Sequence, residues 1–168
     1  MRKALSFLYL ASGALAALFM IAIAVLVLAS IIGRMMGAQL PGLADYAGYC
    51  MAAASFLALA YTFGHGGHIR VTLIINRFHG GARRIAEVWC LGAGLYLSTY
   101  FAYYSIKMVR VSIMINDISQ GPDATPLWIP QLSMAVGTTV LAIAMLDRLI
   151  AVLRGGEIET TTGPAAVE

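Results

Sequence analysis

Charged residues along this chain fall in short clusters separated by long uncharged runs. Residues 5–32, 46–64, 88–106 and 124–146 contain no Asp, Glu, Lys or Arg. Each run meets or nearly meets the roughly 20 residues that an α-helix needs to cross a hydrocarbon layer of about 30 Å. The pattern predicts an all-α integral membrane protein with four transmembrane helices, spanning about residues 5–32, 44–64, 87–107 and 125–147. Together they would form a single four-helix membrane domain over residues 1–154. The remainder, GGEIETTTGPAAVE at residues 155–168, has the glycines, threonines and acids of a disordered tail.

Between the second and third runs lies GHGGHIRVTLIINRF, residues 64–78. Val71, Ile74, Ile75 and Phe78 recur at helical spacing and make one apolar stripe, with Arg70, Thr72, Asn76, Arg77 and His79 elsewhere on the wheel. The segment also alternates with period two, but a lone strand at a membrane surface has no partner for its backbone groups. A short amphipathic interfacial helix over residues 69–79 is therefore expected, with Gly66, Gly67, Gly80 and Gly81 as its turning points. Its apolar stripe and the basic residues Arg70, Arg77, Arg83 and Arg84 would anchor it to phospholipid.

Composition supports the membrane reading. Of 168 residues, 60% are hydrophobic and 11% charged, against roughly a quarter charged in soluble domains. The basic, apolar N-terminus resembles a secretion signal, but its uncharged run is far longer than the ~7–15 residues of such a signal, so an uncleaved first helix is expected. Charge asymmetry sets the orientation. Arg2, Lys3, Arg70, Arg77, Arg83, Arg84, Arg148 and Arg154 would lie on one side, and Arg34, Lys107 and Arg110 on the other. Positive flanks stay cytoplasmic, which gives an N-in/C-in topology and independently requires an even number of spans.

Candidate chemistry is sparse. His65 and His68 are three apart, but no Cys, Asp or Glu lies near them in sequence and a zinc site needs three or four ligands. Haem held between helices wants histidines on different helices, and all three here share one loop. No metal or cofactor is expected. A proton-coupled exporter needs an ionisable group inside a span, which the first run lacks. Asp45 and Glu87 fall at helix starts, where acids favour the helix dipole. Cys50 and Cys90 are predicted on the order of 15 Å apart along the membrane normal, beyond disulfide reach, hence free and buried. Nothing in this inventory describes an enzyme.

Small residues at helical spacing, Gly13 with Ala17, Ala52 to Ser55, and Gly94 with Ser98, favour close helix packing. Tyr96, Tyr100, Tyr103 and Tyr104 form an aromatic stripe, read as an interfacial anchor or packing surface towards the outer half of the third span. Pro126 and Pro130 are expected in the first turns of the fourth helix, where proline is tolerated, with Trp128 at headgroup level.

Two motifs give the chain a family resemblance. GGHIRV at residues 66–71 and TPLWIPQLSMAVG at residues 125–137 resemble the small, Q-type membrane subunit of tripartite ATP-independent periplasmic (TRAP) transporters. The likeness covers nearly the whole chain through Arg154. It departs at Thr72, where the family usually has an acid, and at Asp45, where it often has glutamate. The resemblance implies a bacterial inner-membrane protein that scaffolds a large membrane subunit during ion-coupled import, with sodium as the usual ion, of an organic acid brought by a periplasmic binding protein. Tyr96, Tyr100, Tyr103 and Tyr104 would then be candidate packing residues for the large subunit. The outward charged residues Arg34, Asp45, Lys107, Arg110, Asp117 and Asp123 would be candidate contacts for the binding protein. No nucleic acid is expected as a partner. The alternative reading is a membrane anchor subunit of a respiratory or redox complex.

Overall fold

The computed structural model describes residues 2–38, 41–64 and 81–154. They form four helices, α1 (Arg2–Met35), α2 (Leu43–Gly64), α3 (Gly81–Met114) and α4 (Trp128–Leu153). The expected interfacial helix over residues 69–79 and the tail lie outside the described residues.

All four helices fall where uncharged runs place them, but their ends extend past those runs. Hydropathy marks where the solvent changes, whereas backbone hydrogen bonding continues until something interrupts it. Thus α3 carries Lys107 and Arg110 as helical residues, and α4 runs beyond Asp147 and Arg148. The start of α4 differs in the other direction. Pro126 is outside the helix, paired in an isolated antiparallel bridge with Ile118, so only Pro130 occupies the first helical turn.

Three segments, Leu5–Met35, Leu43–Phe63 and Trp128–Leu153, are long and apolar enough to cross a membrane. Helix α3 has 34 residues, as many as α1, yet is not among them. Its tyrosines and serines lower its hydropathy, although at 1.5 Å per residue it is about 50 Å long.

The helices lie side by side in the order α1, α2, α4, α3, with α1 only grazing α4. Directions alternate along the chain. Gly13 of α1 meets Tyr61 of α2, and Gly94 of α3 meets Met145 of α4, so both sequential pairs are antiparallel. Helices α2 and α4 run parallel, and Gly137 lies against the backbone of Phe56. Small side chains allow these approaches. Ser98, Ala102, Ser105, Val109 and Ser112 make the buried stripe of α3, and Ala135, Gly137, Thr138, Val140 and Ala144 that of α4. The Ser98, Ser105 and Thr138 hydroxyls in these seams are satisfied within their own helices, Ser105 Oγ donating to the Phe101 carbonyl at 2.8 Å and Thr138 Oγ1 to that of Met134 at 2.7 Å. Such seams pack backbone against backbone without burying a charge.

Candidate functional site: a loop clasp and a tyrosine ridge

At one end of the layer the α1–α2 and α3–α4 connections converge. Residues 115–127 fold into a compact clasp. The Ser119 amide donates to the Thr125 carbonyl at 2.8 Å, the Leu127 amide to that of Asp117 at 3.0 Å, and the Asp117 amide to that of Ser112 at 2.9 Å. Two non-glycine residues adopt positive φ to close it, Asn116 at 49° and Ala124 at 46°.

The clasp is tied to α2. Tyr49 donates its phenol proton to Ser119 Oγ at 2.8 Å, and the same oxygen accepts the Gly121 amide at 3.2 Å. A longer bond of 3.4 Å runs from Thr125 Oγ1 to the Tyr46 hydroxyl, and the Tyr46 and Tyr49 rings meet edge to face at 6.2 Å. Two carboxylates cross between the connections. That of Asp123 lies against Gly42 and that of Asp45 against Gly121, each so close that a β-carbon on the glycine would overlap it. The Asp123 charge therefore stands at the N-terminus of α2, where the helix dipole favours an anion.

Of the six residues predicted to face the outer side, this end gathers Asp45, Asp117 and Asp123. Arg34 is exposed on the last turn of α1, and Lys107 and Arg110 are exposed on α3; these cations do not join the clasp. Lys107 instead places its ammonium 5.9 Å from the Tyr104 ring centroid, within cation–π range. The PG pair at residues 41–42 signals a turn in the sequence, but no sequence signal couples Tyr49 to Ser119.

The tyrosine stripe forms a continuous ridge on α3. Ring centroids are 6.3 Å apart for Tyr96 and Tyr100, 4.6 Å for Tyr100 and Tyr104, and 5.3 Å for Tyr103 and Tyr104. All four are exposed. Of the two readings of the stripe, interfacial anchor or packing surface, their depth suits the second. The Phe101 ring stacks on Phe56 at 6.1 Å, near the middle of α2, so the ridge stands at mid-height of the layer rather than at its rim.

The anchoring residues Arg70, Val71, Ile74, Ile75, Arg77 and Phe78 lie outside the described residues, and Arg83 and Arg84 fall in the first turn of α3. Both cysteines are free as expected, but only Cys50 is partly covered; Cys90 is exposed. The expectation that both are buried fails because residue 90 falls off the α3 stripe that meets α4.

Several long apolar helices laid side by side, with only Ser and Thr among the buried polar residues described, define a multi-pass membrane protein. The family model of the DctQ component of tripartite ATP-independent periplasmic transporters matches residues 23–155, most of the chain. The chain belongs to that family. It is thus a small permease subunit of a TRAP transporter, a transporter component rather than an enzyme, in a family that works with a large membrane subunit and a periplasmic binding protein. No curated protein and no solved structure matches the chain.

Proposed function

We propose that this chain braces the large membrane subunit of a TRAP transporter in the bacterial inner membrane, during sodium-coupled import of an organic acid delivered by a periplasmic binding protein. The observation that carries this reading is the family match over residues 23–155. The packing supports a brace. A layer held by small-residue seams offers a broad, closely packed face, and a subunit that moves substrate through the bilayer needs such a support. Nothing favours the redox-anchor alternative.

In this reading α3 is the fourth span, because it lies antiparallel beside α4, and the charge asymmetry leaves both termini in the cytoplasm. The clasp then faces the periplasm, where Asp45, Asp117 and Asp123, with Arg34, Lys107 and Arg110 nearer the flanks, meet the binding protein. Residues 69–79 lie on the inner leaflet. Arg70, Arg77, Arg83 and Arg84 would there meet anionic headgroups, at about 1 kcal/mol each near the surface.

The test is uptake into proteoliposomes holding the large subunit, with the binding protein outside and an imposed sodium gradient, prepared with and without this chain. Uptake is expected only when both membrane subunits are present. Equal uptake without this chain would remove the bracing role, and uptake indifferent to the gradient would remove sodium coupling.

A further inference from the structure

We infer that the ridge Tyr96, Tyr100, Tyr103 and Tyr104 is the seam on which a transmembrane helix of the large membrane subunit docks, and that this helix presents hydrogen-bond acceptors to the phenols. The inference rests on the brace reading above and names the surface through which the brace works.

Depth is the first support. Phe101 stacks on Phe56, and Gly137 touches the Phe56 backbone, so α2, α3 and α4 share one level there. The Gly94 to Met145 contact gives the same register between α3 and α4. Both α2 and α4 are apolar enough to cross a membrane, and the shared level lies near the middle of each. At 1.5 Å per residue the four tyrosines stand within about 8 Å of it, well inside a hydrocarbon half-thickness of about 15 Å. Interfacial tyrosines, whose hydroxyls reach the headgroups, belong farther out.

Hydrogen bonding is the second. The Tyr100 and Tyr104 hydroxyls pair with each other within α3, but among the described residues none of the four is bonded to another helix, and Tyr96 and Tyr103 are 69% and 63% exposed. Lipid tails offer a phenol no acceptor, and an unmet polar group in hydrocarbon is costly. Contrast with the other helices decides against lipid as the occupant. The exposed side of α4 is aliphatic, with Leu132, Val136, Ile143, Leu146 and Ile150, and that of α1 is largely Leu, Ile, Val and Met. Those faces suit acyl chains. Helix α3 ends the layer, packing along α4 and reaching α2 through the Phe101 ring, and its tyrosine-bearing side is the one that lipid solvates poorly. The family supplies a protein occupant in the same membrane, the large subunit.

The test uses the assembled complex. A photo-reactive phenylalanine analogue is placed singly at Tyr96, at Tyr103, and at the aliphatic positions Ile21 and Ile143. Crosslinks to the large subunit are expected from Tyr96 and Tyr103, and not from Ile21 or Ile143. The Tyr96→Phe, Tyr100→Phe, Tyr103→Phe, Tyr104→Phe variant keeps the rings and loses the hydroxyls; it is expected to weaken the complex about ten-fold, as several interhelical hydrogen bonds together would. Crosslinks only from Ile21 or Ile143, or from Tyr96 to a second copy of this chain, would overturn the seam. So would a phenylalanine variant that assembles like the native chain. Failure of the native chain to co-purify with the large subunit at all would instead overturn the brace reading, and the seam with it.

Discussion

Gly42 and Asp123 are in contact across the two connections, with the Asp123 carboxylate where a β-carbon of residue 42 would stand, and Gly42 at a φ of 83°. Two separate costs therefore meet any substitution there. Gly37 has the same kind of backbone, with φ 73°, but open space around it. Alanine at Gly37 pays only the left-handed strain, about 1 kcal/mol. Alanine at Gly42 must also displace a carboxylate, and about 2 kcal/mol or more is expected. Thermal unfolding of the detergent-purified protein compares the two; equal losses would mean that the Asp123 side chain gives way freely.

The Tyr49 phenol holds the clasp through Ser119. Tyr49→Phe removes one hydrogen bond of ordinary length and should destabilise the clasp by about 1 kcal/mol. Amide exchange at Ser119 and Leu127 should then quicken about five-fold. Ser119→Ala should do more, since it also strips the acceptor of the Gly121 amide. Thr125→Val should do little, because its bond is long at 3.4 Å. Hydrogen exchange over residues 115–127 ranks the three, and a Thr125→Val effect equal to that of Tyr49→Phe would contradict this account.

These couplings mark the limit of what the chain reveals before it is folded. Four uncharged runs announce four helices, because solvent and sequence speak the same language there. The Tyr49 to Ser119 bond joins residues 70 apart, and nothing in either local sequence names the other. Lateral order is equally hidden, since all four helices carry small residues suited to packing. Folded contacts such as those of Gly13, Gly94 and Gly137 show which helix each one meets. The tyrosine stripe was legible as a stripe, whereas its depth required the Phe56 to Phe101 stack.

Thiol chemistry should follow exposure. Cys90 is open and Cys50 half-covered, so in detergent a maleimide should modify Cys90 before Cys50, as access predicts. Mobility on a gel should not change with reductant. The Cys50→Ala, Cys90→Ala variant should assemble and support uptake. Loss of uptake at normal protein levels would reopen redox or metal chemistry.

An apolar stripe of Val71, Ile74, Ile75 and Phe78 would gain about 1.5–3 kcal/mol for each large side chain buried in the bilayer surface, whereas two histidines with no Cys, Asp or Glu near them in sequence fall short of a metal ligand set. Ile74→Asp or Ile75→Asp should lower co-purification of the large subunit and uptake together. His65→Ala and His68→Ala should keep most uptake. Near-complete loss in the histidine variants with the complex intact would make the segment a working site.

Two glycines test whether the layer depends on backbone approach or on glycine as such. A β-carbon on Gly137 would stand 2.5 Å from the Phe56 carbonyl oxygen and 2.6 Å from its carbon. Backbone of a packed helix cannot step aside, so Gly137→Ala must push α2 and α4 apart, at an overpacking cost of about 1–3 kcal/mol. At Gly94 the obstacle is the end of a side chain, Met145 Sδ at 2.8 Å, and methionine repacks easily. Gly94→Ala also gains helix propensity, up to about 1 kcal/mol, so it should be neutral or mildly stabilising. Gly92→Ala, with open space around it, measures that propensity gain alone. Thermal unfolding of the three variants, with co-purification of the large subunit as a second readout, should place Gly137→Ala well below the native protein and the other two at or above it. Gly137→Ala melting alongside Gly92→Ala would mean that α2 and α4 do not approach as closely as the Phe56 contact requires.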